Sequence, residues 1–193
     1  MNDLLKMLAG GTLASDGRAS EVAEKIIQQP QLFDQLVEGL DESNDVIRAR
    51  TAHALERISR TQPEMVVSLL PKLLNLALND PVPMVRWHLA MILGYLSYPP
   101  DQLTKVISTL FQMLNDTSVF VKSWAIVSLT ILGRRYRDLG LQVIEKIGPL
   151  CNNRRASIRN KAIKALKVLE NDNEPIPAGW VKAENKHPLS SQI

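Results

Sequence analysis

In the stretch NDPVPMVRWHLAMILGYL (residues 79–96), Trp87 and His88 directly follow Arg86, and Tyr95 comes two turns later. Residues of these types can transfer protons, hold a metal, or dock a partner through rings and charges. Proton transfer needs a carboxylate or a histidine with a partner in a cleft. His53 and His88 fall in different phases of neighbouring helical segments, and no Cys, Asp or Glu stands with them at metal-ligand spacing. No GxGxxG, P-loop, HExxH or GxSxG motif occurs. The glycine cluster AGGTLASDG follows no strand and reads as a loop after a first helix. Cys151 is the only cysteine, so neither an intrachain disulfide nor a Cys-rich metal site can form. The expectation is a protein that is not an enzyme, with no cofactor, no metal and a reducing, cytoplasmic setting.

Composition points the same way. The 193 residues are 45% apolar with three each of Phe, Tyr and Trp, so the core must be aliphatic. That is enough chain for one domain. No apolar run reaches the roughly 18 residues of a membrane span, and Asp3 stands where a signal peptide carries positive charge. The net charge of +3 conceals an asymmetry, −6 over residues 1–45 against +8 over residues 105–170. Such a gradient steers partners without naming them.

The elements that position these residues recur. A β-branched residue followed by a cation appears as Ile47-Arg48, Val85-Arg86, Val121-Lys122 and Ile158-Arg159, spaced by 38, 36 and 37 residues. An acidic or amide pair precedes each: Asp41-Glu42, Asn79-Asp80, Asn115-Asp116 and Asn152-Asn153. Apolar residues then follow at helical spacing, including Leu55, Leu93, Leu129 and Leu166 seven positions after the cation. A second apolar-periodic segment lies upstream of each turn, with Pro30, Pro63 and Pro99-Pro100 at the starts of three, where a missing N–H is tolerated. Pro71, inside the second segment, predicts a bend. The unit is helix A, short turn, helix B, four times over.

This pattern resembles the HEAT repeats: Pro near helix A, Asp in the turn, then Val-Arg and Ala/Leu along helix B. The resemblance covers about residues 30–170 and departs in the fourth turn, which has Asn for Asp, and in a longer first turn. It implies an all-α superhelical solenoid with A helices outside and B helices lining a concave face. The units are expected at about 30–61, 62–98, 99–137 and 138–170. Residues 1–29 should supply capping helices or a degenerate repeat, and 171–193 an irregular tail in which Trp180 docks on the end of the stack. Two enzyme groups share this architecture, the bacterial alkylpurine DNA glycosylases and the phycobilin lyases. Here the groove lacks the aspartate of the first, and nothing singles out a bilin pocket.

Three sets of residues follow. Asp80, Arg86, Asp116 and Lys122 read as part of a structural ladder in which each cation meets the turn acid six or seven residues earlier. The positions next to the buried ones place Arg50, Trp87, His88, Tyr95, Trp124 and Lys161 on the concave face, as anchors and orienting charges for a protein or peptide. Packing of Trp87 and Trp124 between repeats is the competing reading. Arg134, Arg135, Arg137, Arg154 and Arg155 form a candidate anion-binding rim, which makes nucleic acid the alternative partner. The expectation is a non-catalytic interaction module, without a membrane role.

Overall fold

The computed structural model describes residues 1–182; the rest of the expected tail, 183–193, lies outside the described residues. Eleven α-helices form among them: α1 (Asp3–Leu8), α2 (Ala19–Gln28), α3 (Phe33–Val37), α4 (Asp45–Ser59), α5 (Pro63–Val67), α6 (Leu70–Asn79), α7 (Pro83–Tyr95), α8 (Pro100–Met113), α9 (Val119–Arg135), α10 (Gly140–Ile147) and α11 (Ala156–Glu170). Short 3-10 turns flank both α3 and α10. The A position of the second unit is split into α5 and α6. Pro71 lies in the first turn of α6, where its absent N–H is not missed, so the helix breaks rather than bends.

The helices α2, α4, α7, α9 and α11 pack on one another in unbroken succession and make one layer. The segments α3, α5–α6, α8 and α10 make the other. A B helix touches the B helix before it, the one after it and its own A helix. That is why eleven of the seventeen residues of α9 are buried, far more than the stripe of a surface helix. The close approach of α7 to α9 has a local cause. A Cβ on Gly94 would stand 2.5 Å from Ser128 Oγ and 2.8 Å from Ser128 Cα, while that hydroxyl donates to Ala90 O at 2.6 Å.

The turns start the B helices and tie the stack along its length. Asp80 Oδ1 accepts from Val82 N–H at 2.8 Å, Asp116 Oδ1 from Ser118 N–H at 2.7 Å and Asn153 Oδ1 from Arg155 N–H at 3.0 Å. In the first turn Asn44 takes this part, not Asp41 or Glu42. The ladder also differs from its expected form. Arg48, Arg86 and Arg159 do reach six residues back, but to the backbone carbonyls of Glu42, Asp80 and Asn153. Two of them also reach a carboxylate of the next unit: Arg48, which pairs with Asp45 of its own helix at 2.6 Å, meets Asp80 at 3.0 Å, and Arg86 grips Asp116 with Nε and Nη2 at 2.7 and 3.0 Å. One aspartate therefore starts its own helix and receives the arginine of the unit before it. Lys122, in the third unit, has no ion pair among the described residues. The fourth turn holds Asn153 in the aspartate's place, so the next unit offers Lys122 no carboxylate, and its charge acts on Asp116 of its own turn instead.

Candidate interaction face

Of the six residues expected on an open B-helix face, three are buried. Arg50 is 4% exposed, His88 6% and Tyr95 2%. Arg50 reaches into the N-terminal segment, where Leu8 O, Gly10 O, Thr12 O and Ser15 O surround its guanidinium at 2.7–3.3 Å. Gly17, at φ +53°, lies against the same group so closely that a Cβ would stand 2.5 Å from Cζ. Arg50 is thus a positive cap on the carbonyl end of α1.

His88 is held in one tautomer. Its Nδ1 faces Met84 O at 2.8 Å, and its Nε2 faces Trp87 Nε1 at 3.3 Å. A carbonyl only accepts and an indole N–H only donates, so the proton sits on Nδ1 and Nε2 is bare. Burial, with the His53 ring stacked on it at 4.6 Å, pushes its pKa down to about 3. Both ring nitrogens are occupied and the ring is neutral at pH 7. Among the described residues no three of His, Cys, Asp and Glu come together to hold a metal.

Trp87, Trp124 and Lys161 stay partly accessible. Trp87 packs on Phe120 with ring centroids 4.9 Å apart, and Phe120 is 61% exposed. Phe120 precedes Trp124 by one turn on the same side of α9. The result is an aromatic stripe from Trp87 through Phe120 to Trp124. Lys161 Nζ then lies 5.4 Å from the Trp124 ring and 5.5 Å from that of Trp180, and Lys182 Nζ 5.4 Å from Trp124. The repeat pattern does not point to Phe120, because it lies two residues before Lys122, outside the positions that follow the cation along helix B. Its spacing of four from Trp124 was the signal available.

The arm after α11 crosses this layer. Trp180 is 6% exposed, and its carbonyl accepts from Tyr95 Oη at 3.4 Å. It therefore docks across the B helices two units inward, not on the end of the stack. Arg134 fixes the arm's root by donating to Val168 O and Asn171 O at 2.9 and 3.1 Å and to Glu174 O. Arg135 caps the carbonyl end of α7 at Tyr95 O and Leu96 O, 3.2 and 2.6 Å. The expected five-arginine rim is consequently not a rim. Arg134 and Arg135 point inward, Arg137 pairs with Asp172 at 2.6 Å, and only Arg154 and Arg155 stand in solvent without an ion pair among the described residues.

A model of HEAT repeats matches residues 70–167, half of the chain and the better part of three of its units. The chain belongs to the HEAT-repeat family. Solved structures with the same architecture agree. A designed armadillo repeat protein in complex with the peptide (KR)4 is 19% identical at a TM-score of 0.63, over 86% of this chain and 80% of that one. The CpcE–CpcF complex of phycocyanin lyase from Nostoc sp. PCC7120 is 22% identical at a TM-score of 0.67, over 84% and 95%. At such identities the likeness shows the fold, an all-α superhelix. No curated protein matches this HEAT-repeat sequence. No helix among its described residues is long and apolar enough to cross a membrane.

Proposed function

We propose that this chain is an interaction module that holds a protein or peptide partner on its B-helix face, with Trp87, Phe120 and Trp124 as anchors and Lys161 as an orienting charge. Arg50, His88 and Tyr95 serve the face from beneath. Arg50 fixes the first segment, His88 sets the Trp87 ring and Tyr95 receives the arm. The observation that carries this reading is Phe120, a large aromatic left 61% exposed and packed at a tilt against Trp87. Contiguous exposed rings of this kind mark binding surfaces. The fold supports it too, since helical solenoids present extended faces to partners. One solved neighbour holds a peptide and another is a complex of two chains. That peptide, (KR)4, is basic; the face here carries lysines of its own and calls for a different occupant.

Nucleic acid is the weaker reading. The guanidiniums suited to phosphate are mostly committed to carbonyls and carboxylates within the fold. Affinity purification from the native cell, with and without nuclease, tests the proposal. A partner should survive nuclease and be lost from the Trp87→Ala/Phe120→Ala variant while its thermal melt stays close to that of the parent. A partner retained by that variant, or one released by nuclease, contradicts it.

A further inference from the structure

The charge of the B-helix face is one-sided, and its two kinds of cation are used differently. The helices α7, α9 and α11 carry eight cations and a single carboxylate, Glu170, the last residue of α11. All four arginines are engaged: Arg86 by Asp116, Arg134 and Arg135 by helix-end carbonyls, Arg159 by Asn153 O. The lysines are left over. Lys161 and Lys164 project from α11 one turn apart, and Lys182 joins them from the arm, with Lys161 and Lys182 both lying over Trp124. No carboxylate pairs with any of the three among the described residues. The acids near the face lie elsewhere. Asp16 stands 3.6 Å from His53 at the N-terminal end, Glu56 is buried against Arg60 at 2.7 Å, and Asp172 takes Arg137.

Resting on the reading that this face binds a peptide, we infer that its occupant is an extended acidic segment with an aromatic or aliphatic anchor. The anchor lies on Trp87 and Phe120, and its carboxylates meet Lys161, Lys164 and Lys182 around Trp124. Three ammoniums held together without a counter-charge repel one another, and a carboxylate among them relieves that repulsion. The Lys161 pKa is lowered by burial first and then by Lys164 and Lys182, in keeping with such a cluster. A single strand of nucleic acid fits less well. Base stacking needs a bare ring, and the Trp124 ring is attended by two ammoniums.

Fluorescence anisotropy with a fluorescein-labelled twelve-residue peptide, a central Phe flanked by Glu, tests the inference. Companion probes are the same peptide with Gln or with Lys in place of Glu, and an oligothymidylate of equal length. The Glu peptide should bind, and its affinity should fall about tenfold or more both with the Lys164→Glu/Lys182→Glu variant and on raising salt from roughly 0.05 to 0.5 M. The single Lys164→Glu change, at an exposed position, should give a smaller loss in the same direction, with an unaltered melt. Equal binding of the Glu and Gln peptides overturns the acidic preference and leaves the peptide site standing. No binding of any peptide overturns both readings. Tighter binding of the oligothymidylate than of the Glu peptide overturns the inference in favour of nucleic acid.

Discussion

His88 and Arg86 are neighbours on α7, yet the fold depends on opposite charge states in them. His88 must be neutral, and with a folded pKa of about 3 against an ordinary 6.5 the direction of its pH effect is set. Above pH 6.5 neither folded nor unfolded chain carries the proton. Below it the unfolded chain takes the proton up and the folded chain does not, so stability is lost as pH falls toward 3, by up to about 1.4 kcal/mol per pH unit. His53 is shifted down as well, by burial first and against the pull of Asp16 and Glu56, and its contribution is likewise lost as pH falls below 6.5. Urea melts at pH 7.5 and pH 5 should show this decline, and His88→Gln, which cannot titrate, should flatten most of it. An equally steep decline in that variant refutes the assignment. Arg86 must keep both its charge and its fork. Burial alone would raise the Asp116 pKa, but hydrogen bonds from Arg86 and Ser118 N–H hold it below its usual 3.8; that contribution is present above pH 3.8 and fades below it. Arg86→Lys preserves the charge and loses the bidentate grip, so it should destabilise by about 2 kcal/mol in denaturant melts at pH 7. The same change at Arg154, in solvent, should do almost nothing.

Among the helices, the contact between α7 and α9 tolerates no added atom. Gly94→Ala places a methyl group against Ser128 and must part the two helices, and a loss of about 2 kcal/mol in a thermal or urea melt is expected. Trp180→Ala removes the arm's buried anchor and should lower stability by about 3 kcal/mol, with Tyr95 becoming accessible. These elements were legible to different degrees in the sequence. The spacing from Arg48 to Arg159 yields four hairpins, because a helix of this length can only be stable by leaning on a neighbour. It does not yield the partner of each arginine. Within one repeat Asp80 stands equally well for Arg86 or for Arg48, and only the stacking distance decides between them. Nor does it yield the width of the buried arc. The positions next to the buried ones put Arg50, His88 and Tyr95 outside, but a B helix flanked on three sides buries all but about one position per turn. Phe120 and Trp124 occupy that remaining position on α9.

The whole molecule sorts its cations by chemistry. Arginines such as Arg50, Arg86, Arg134 and Arg135 end on carbonyls or carboxylates inside the stack, where a planar fork satisfies several acceptors at once. Lysines such as Lys161, Lys164 and Lys182 remain at the surface near the indoles. An interior closed by arginine and a face edged with lysine and aromatic rings make a rigid scaffold with one charged, sticky side. The direct test of that account is the set of indole N–H signals in a 15N-labelled spectrum, one each for Trp87, Trp124 and Trp180, titrated with the Phe-centred Glu peptide. The Trp87 and Trp124 signals should move together along one binding curve. Static indole signals, with shifts confined to α6, α8 and α10, would place the binding surface on the opposite layer and contradict the account.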